Sequence, residues 1–399
     1  METVRVGPNG RCFVDSQGAP FFWLGDTQWE LFRTRPPEDA EAILQRRKEQ
    51  GFTTIQVMIT GRGDGSGPNA AGETPWVDHD PARPNEAYFR NVDRVVEAAR
   101  RLGMVLVPGV YHQVQRAVIT AANARQYARW VARRYADAPN VVWSMYPEAK
   151  PEFVPVAREV AAGLQEGDGG AHLITVHPDP SPTSSSFIHD EAWLAFNSIQ
   201  PWQGYELLYP MVDADYRRTP PKPVVMAEGG YEGLHYTRVH TPLLIRKQAY
   251  WSYLAGGHHT YGHADSHLAP PGAWRQWIGS LGARHMGVCR KVLTSLRQWW
   301  ALIPDQSLLV GGAGSGMTLN VAARSPEGRW ALVYLSSNTT VSVSVDRAVE
   351  GGPFAAHWVD PTTGERTRIG AVVSKGPIAF STPGGWEDAL LLFEREGPK

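Results

Sequence analysis

Eight short apolar segments lie along the first three quarters of the 399-residue chain, and helical patterns follow most of them. Such an alternation of strands and helices favours parallel pairing within one sheet. Eight strand–helix units are the number that closes a (β/α)8 barrel. We therefore predict an α/β fold, a TIM barrel, whose strands are residues 21–26, 54–59, 104–108, 141–144, 173–177, 195–200, 224–228 and 257–262.

The segments between these strands carry helix signals. A proline and acidic residues open the pattern at residues 36–50, and Gly51 follows it as a stop. Gly103 ends a second periodic stretch at residues 86–102. The remaining helical patterns cover residues 123–135, 153–165, 242–254 and most of 272–300. The long loop at residues 61–85 is rich in Gly and Pro, and loops of this length in compact folds are usually functional or disordered.

The pattern changes after residue 308. Short β-prone runs separated by turn residues occur at 310–316, 330–334, 341–345, 354–359 and 388–393. Regular spacing of this kind is typical of an antiparallel β-sandwich. We predict two domains. The first is the barrel domain at residues 1–303, which begins with a short β extension. The second is a C-terminal sandwich at residues 304–399.

Charge and cysteine content exclude several classes of partner. Acidic and basic residues number 40 and 39, so neither nucleic acid nor a membrane surface is an expected partner. Cys12 and Cys289 form no disulfide framework or metal-ligand spacing. No run of 18 apolar residues predicts a membrane span, and the first residues lack a secretory core. We expect a soluble protein, cytoplasmic or secreted with its signal removed; its oligomeric state stays open.

Residues 223–232, PVVMAEGGYE, place a carboxylate directly after a buried strand. A short apolar run opened by Pro and closed by Gly suits a strand covered on both faces. A buried and unpaired charge is costly, so Glu228 needs a function or a partner. In a (β/α)8 barrel, catalytic groups lie at such C-terminal strand ends.

Polar residues recur at nearly every predicted strand end. Each one alone could be a helix cap or a satisfied core group. Together at one rim they predict a polar pocket. The set comprises Asp26, Gln56, His112, Glu148, His177, Asn197, Gln200, Glu228, His259 and Tyr261.

Glu148 and Glu228 are the carboxylates expected to perform chemistry. Glycosidic bonds are typically cleaved by two carboxyl groups, one protonated and one ionised. Asp26 is a competing acid, although a hydrogen-bond anchor is the preferred interpretation. The chain contains 15 Trp, of which Trp29, Trp76 and Trp202 are candidates for stacking on sugar rings; a Trp-rich core is the alternative.

Other motifs carry weaker signals. His258, His259, His263 and His267 have spacings that could suggest a metal site, but the intervening Gly and Pro residues favour a loop. The glycine-rich residues 311–316 lack the Lys and Ser/Thr of a phosphate loop. No Gly-x-Ser-x-Gly elbow is present in the sequence. We therefore expect neither a metal nor a cofactor.

Seven segments in order resemble the apiosidase-like glycoside hydrolases of family 140: residues 22–32, 51–56, 84–89, 139–143, 184–190, 222–228 and 259–262. The tail is similar to a small β-domain often attached to that barrel and classed as collagen-binding. The resemblance implies an acid/base at the end of strand four and a nucleophile at the end of strand seven. Glu228 falls on the family's Glu. Glu148 stands where the family usually has an Asp after two glycines, and here Tyr146 and Pro147 precede it.

These features predict a glycoside hydrolase of plant or bacterial polysaccharides or oligosaccharides. Glu228 is the expected nucleophile and Glu148 the expected acid/base of a two-carboxylate, retaining mechanism. The alternatives are a non-catalytic carbohydrate-binding protein on a degenerate barrel and, more remotely, a polysaccharide lyase or esterase. The predicted substrate contacts are Asp26, Trp29, Gln56, His112, Gln113, His177, Asn197, Gln200, Tyr231, His259 and Tyr261.

Overall fold

Eight parallel strands form the barrel of the computed structural model, which describes residues 3–345, 354–372 and 376–395 without the side chains of 146–149 and 267. The strands follow one another around the barrel in chain order. They are β1 Leu24–Thr27, β2 Thr54–Met58, β3 Val105–Gly109, β4 Trp143–Ala149, β5 Ile174–Pro178, β6 Asn197–Ile199, β7 Val224–Met226 and β8 His258–Tyr261.

The barrel closes between β5 and β6. The backbone N–H of Ala195 donates to the carbonyl of Ile174 at 2.8 Å, and the Thr175 hydroxyl donates to the carbonyl of Phe196 at 2.9 Å. The predicted (β/α)8 barrel is confirmed by this topology.

Helices cover the outside of the barrel. Asn85 caps α2 by accepting from the N–H of Ala87, and Gly103 ends it with a φ of 65°. Thr241 caps α7 by accepting from the N–H of Leu244. The main helices are α1 Pro37–Glu49, α2 Glu86–Leu102, α3 Ala124–Arg134, α4 Val154–Asp168, α5 Ser185–Ile188, α6 Tyr205–Tyr216, α7 Pro242–Leu254, α8 Asp265–Leu268, α9 Trp274–Trp277 and α10 Leu281–Thr294. Among the described residues, no helix is long and apolar enough to cross a membrane.

A three-stranded antiparallel sheet at the N-terminus covers one end of the barrel. Its strands are Arg5–Val6, Phe13–Val14 and Pro20–Phe21. Phe13 packs against Trp23, Phe196 and His258 with ring centroids 4.8, 5.2 and 4.8 Å away. This apolar cluster fills the barrel end that precedes the strands.

The C-terminal region forms two antiparallel sheets. The larger sheet has the order Ile303–Pro304, Val321–Arg324, Trp330–Leu335, Ala389–Arg395, Phe354–Val359, Arg366–Val372, and the smaller contains Leu309–Gly311, Thr340–Ser344 and Pro377–Ser381. An apolar cluster lies between the sheets and includes Val333, Val343, Phe380 and Leu391. The predicted sandwich is confirmed, whereas the division at residue 304 stays a prediction.

A buried carboxylate, Asp168, attaches β4 to α4. It accepts from the indole N–H of Trp143 at 2.8 Å, and His172 lies 2.9 Å away. Burial raises the pKa of Asp168, but the hydrogen bonds from His172 and Trp143 outweigh it and hold the pKa below the usual value. The ionised form is therefore favoured in the folded protein.

Asp168→Asn should destabilise the protein by about 1.5–3 kcal/mol at pH 7, because charge-assisted hydrogen bonds are lost. A lowered native pKa contributes stability that is present above the unfolded pKa and disappears as pH falls through the folded pKa. Urea unfolding of both proteins from pH 7 into the acid range measures this. If Asp168→Asn lowered the free energy of unfolding by the same amount at every pH, the electrostatic account would be contradicted.

Candidate active site

Glu228 lies two residues beyond β7, at the carboxyl end of the barrel, with its side chain 10% exposed. The next two residues, Gly229 and Gly230, are glycines because neither position has room for a side chain. A Cβ at Gly229 would overlap the amide oxygen of Gln248, and one at Gly230 would overlap Tyr205 and His240. The carboxylate opens into a cleft of about 300 Å³, lined by Trp29, Arg62, Pro180, Gln200, Trp202, Glu228, Tyr231, Leu234, Tyr236 and Leu268.

Two described side chains, His177 and Tyr231, lie beside the Glu228 carboxylate. Nε2 of His177, at the end of β5, lies 3.4 Å from its Oε2. The hydroxyl of Tyr231 is hydrogen-bonded to Glu228 and also accepts from the indole N–H of Trp29 at 2.9 Å. Burial, and then the charge of Glu228, raises the pKa of Tyr231 well above its usual value. The phenol therefore stays protonated and can donate to an ionised Glu228.

Backbone contacts fix the strand end that carries Glu228. The Gln56 amide on β2 donates across the barrel to the carbonyl of Ala227 at 3.3 Å. The N–H of Trp202 donates to the carbonyl of Glu228 at 3.4 Å. Trp202 has a φ of 46°, which is unusual for a bulky residue, and such strain is concentrated at functional sites.

His112 is a neutral group near this site. Its Nδ1 accepts from the N–H of Val114 at 3.0 Å, so the neutral ring carries its proton on Nε2. Burial, then the positive charge of Arg62 and then His177, lowers its pKa to about 4. His112 is thus uncharged at neutral pH. Gln113 begins the short helical turn after it and is not among the residues that line the cleft.

One wall of the cleft carries a polar group without a hydrogen-bond partner among the described residues, and the rim of the cleft is aromatic. Gln200 is 3% exposed, and its amide oxygen has no hydrogen-bond partner among the described residues. Trp202 and Tyr236 meet at the rim with ring centroids 5.2 Å apart, and Tyr236 is 60% exposed. A ligand with a hydroxyl donor and an apolar ring face would complement both features.

The structure places Asp26 outside this cleft. Its side chain is fully buried and lies 2.8 Å from the guanidinium of Arg47 on α1; Gln28 also donates to it at 2.7 Å. Burial raises the pKa of Asp26, while Arg47 acts in the opposite direction. This carboxylate attaches β1 to the helix layer and cannot reach a ligand without rearrangement.

Two other predicted contacts also face the helices. The Tyr261 hydroxyl donates to Glu232 at 2.5 Å, and Glu232 accepts from the N–H of Gly282 in the first turn of α10. His259 has its ring 6.2 Å from Tyr253 on α7, and burial lowers its pKa to about 3. Its neighbour His258 faces the opposite side of β8, against Phe13.

Asn197 and Trp76 lie away from the cleft as well. The amide oxygen of Asn197 is 3.2 Å from Nδ1 of His189, in a buried contact behind β6. Trp76 is 1% exposed and has its ring edge-on to Tyr127 at 5.6 Å. Of the predicted contacts, the structure therefore brings Trp29, His177, Gln200 and Tyr231 to the cleft beside Glu228.

The second predicted carboxylate, Glu148, has its side chain outside the described part of the structure, although the backbone of β4 that carries it is described. The side chain of His267 is outside it too. Among the described residues, no group of three or more His, Cys, Asp or Glu side chains could hold a metal ion.

Five cleft residues were not among the predicted contacts: Arg62, Pro180, Leu234, Tyr236 and Leu268. Four of them belong to loops that follow strands, and Leu268 is the last residue of the short helix α8. The long Gly- and Pro-rich loop signalled the region of Arg62, whose N–H donates to Glu30 at 3.0 Å. The half-buried Leu234 and the exposed Tyr236 and Leu268 carry no periodic pattern that a sequence could reveal.

Comparisons with known proteins identify the family of this chain. A family model described as "Apiosidase-like, catalytic domain" matches residues 7–301, and one described as "Putative collagen-binding domain of a collagenase" matches residues 303–394. Both confirm the resemblance found in the sequence motifs. A search of curated proteins found no match.

Solved structures show the same fold. The chain is similar to a glycoside hydrolase family 5 protein from Bacteroides vulgatus ATCC 8482, with 23% identity, a TM-score of 0.89, and coverage of 98% of this chain and 93% of that one. Another solved glycoside hydrolase shares 22% identity, with a TM-score of 0.91 and coverage of 100% and 98%. A family 5 mannosidase from Rhizomucor miehei shares 13%, with a TM-score of 0.52 and coverage of 65% and 85%.

Asp26→Ala should destabilise the protein by about 3–5 kcal/mol, because Arg47 is left buried without a counter-charge. The double variant Asp26→Leu/Arg47→Met should recover most of that loss, since an apolar pair can replace a buried ion pair. Urea unfolding measures both. The exposed pair of Arg46 and Glu49 provides the control, and Glu49→Ala should leave stability close to that of the wild-type protein. If the free energy of unfolding of the Asp26→Ala protein were unchanged, the structural role of Asp26 would be contradicted.

Proposed function

Because the chain belongs to the apiosidase-like family and is a glycoside hydrolase, we propose that Glu228 is the nucleophile of a two-carboxylate, retaining mechanism. The observation that carries the proposal is the placement of Glu228 at the carboxyl end of β7, on a cleft, with His177 and Tyr231 beside its carboxylate. Among the described side chains that line this cleft, Glu228 is the only carboxylate.

Glu148 is the proposed acid/base, on the strength of its position on β4 and of the family resemblance. In the first step a Glu228 oxygen bonds to the anomeric carbon, the glycosidic C–O bond breaks, and the leaving oxygen takes the proton of Glu148. In the second step Glu148 removes a proton from water, whose oxygen displaces Glu228 from the sugar.

Tyr231 supports this role of Glu228. A protonated phenol donating to the carboxylate favours its ionised form and holds one oxygen in place. Trp29 in turn donates to the same phenol oxygen, which fixes the direction of the hydroxyl. The nucleophile is thereby oriented before substrate binds, so little reorganisation is required in the transition state.

The walls of the cleft suggest how a sugar is held. The amide oxygen of Gln200, which has no partner among the described residues, can accept a hydrogen bond from a sugar hydroxyl. Trp202 and Tyr236 offer ring faces or edges at the rim. We propose a plant or bacterial polysaccharide or oligosaccharide as substrate, with the sugar to be identified by screening glycans and analysing products by mass.

Glu228→Gln and Glu148→Gln should each lower kcat/KM by at least about 10²- to 10⁴-fold on the substrate that the glycan screen identifies. Glu206→Gln, an exposed carboxylate on α6, is the matched control and should keep wild-type activity. Survival of activity in both active-site variants would show that the pair is misassigned.

The same screen separates the alternatives. Binding of a glycan without turnover by the wild-type protein would support a carbohydrate-binding role. An unsaturated product that absorbs in the ultraviolet would indicate a lyase and contradict hydrolysis.

Gln200→Met should lower kcat/KM by about 10-fold, because a nearly isosteric side chain cannot accept the sugar hydroxyl, at a cost of roughly 1–1.5 kcal/mol. The temperature of thermal unfolding should change little or rise slightly, because the substitution removes a buried acceptor that has no partner. Steady-state kinetics and calorimetry test this together. Unchanged kinetics would place the sugar elsewhere in the cleft.

A further inference from the structure

Helix α7 has two faces with different partners, and both partners are remote in sequence. Lys247 donates to the carbonyl of Met317 at 2.8 Å, and Trp251 donates to the carbonyl of Leu319 at 2.9 Å. Gln248, between them on the same helix, is 1% exposed and donates instead to the carbonyl of Gly230 on the barrel side. The helix therefore lies between the C-terminal sheets and the strand ends.

Gln248 contacts the loop that carries Glu228. Its amide N–H donates to the carbonyl of Gly230 at 3.0 Å, in a fully buried contact. Its amide oxygen occupies the space that a Cβ on Gly229 would need. The two residues after Glu228 are thus packed directly on this side chain, so the loop depends on where α7 places Gln248.

The other face of α7 is fixed to the C-terminal domain by a buried charge pair. The guanidinium of Arg246 donates to both oxygens of Asp388, at 2.7 and 2.9 Å, and both side chains are 2% exposed. The hydroxyl of Tyr334 donates to Asp388 at 2.8 Å, and its ring stacks on Tyr250 at 4.7 Å. Buried pairs of this kind fix one geometry because breaking them is costly.

We propose that Gln248 is a positioning residue for Glu228 and that the C-terminal domain, through Arg246 and α7, holds it in register. The proposal rests on the function assigned to Glu228 above. It gives the C-terminal domain a part in catalysis that does not require a ligand of its own.

The physical reason is the precision that a nucleophile needs. A displacement of about 1 Å at a reacting group can cost on the order of 10²-fold in rate. Gly229 and Gly230 have no side chains with which to anchor the loop themselves. The Gly230 carbonyl is instead held by Gln248, one turn of helix away from groups fixed to the second domain.

Hydrogen–deuterium exchange of the loop tests the proposal without any substrate. The amides of Ala227, Glu232, Gly233 and Leu234 are hydrogen-bonded and hence protected. In Gln248→Met, which keeps the side-chain length but loses the donor, exchange over residues 226–234 should rise about 3- to 10-fold. Asp388→Asn, an isosteric change in the other domain, should raise it in the same direction by a smaller factor.

Two controls match these variants. Ser252→Ala lies on the same helix one turn from Gln248, and its hydroxyl donates only within the helix, to the carbonyl of residue 248. Arg366→Gln removes a different contact between the domains, from Arg366 to Ser295 at 2.7 Å, that does not involve α7. Both should leave loop exchange at the wild-type level.

Kinetics provide the functional readout. With the 4-nitrophenyl glycoside that the wild-type enzyme hydrolyses fastest, Gln248→Met should lower kcat by about 10-fold with little change in KM, since positioning affects the transition state. Asp388→Asn should lower kcat less. A merely structural role would lower the unfolding temperature and leave kcat per folded molecule unchanged.

The outcomes separate this proposal from the assignment of Glu228. Unchanged loop exchange and kcat in both variants, with Glu228→Gln inactive, would overturn the positioning role alone. Full activity of Glu228→Gln would overturn the catalytic assignment, whatever the exchange data show. If Gln248→Met does not fold, Asp388→Asn decides the question.

Discussion

The carboxylate of Glu228 needs hydrogen-bond donors around it, and most of the site residues help to meet that need. A charge at the end of a strand buried on both faces is unfavourable unless donors surround it. Tyr231 is hydrogen-bonded to it and His177 lies within 3.4 Å, while Gln56 and Trp202 hold the backbone on either side. The groups that make the charge tolerable are the same groups that would orient it for attack, so stability and catalysis share one arrangement.

The same residue types serve the architecture where strand ends turn towards the helices. Asp26 pairs with Arg47, and Glu232 accepts from the first turn of α10. Asp26, on β1, faces the helices because successive side chains along a strand face opposite sides of the sheet. A polar residue at a barrel strand end can therefore face either the cleft or the helices, and its neighbours in the sequence do not show which.

Much of the fold could be predicted from the sequence, because strand and helix periods and terminal residues are local properties. The predicted helix at 242–254 has those bounds in the structure, and Gly103 ends α2 as expected. Helix α6 was not predicted; Pro210 lies inside it and interrupts the helical signal. In the site, Glu228 and His177 were recognised from their strand ends. The outward direction of Asn197 and His259 could not be, since it depends on the barrel register, and Tyr236 lies in a loop without a pattern.

The central claim is that Glu228 forms a covalent bond to the sugar, and mass spectrometry of the rapidly quenched enzyme tests it most directly. With an activated aryl glycoside that makes the first step fast, the account predicts a peptide containing Glu228 that is heavier by one glycosyl group and returns to its original mass as turnover ends. A glycosyl group on another residue, or no adduct together with a product of inverted anomeric configuration, would contradict it.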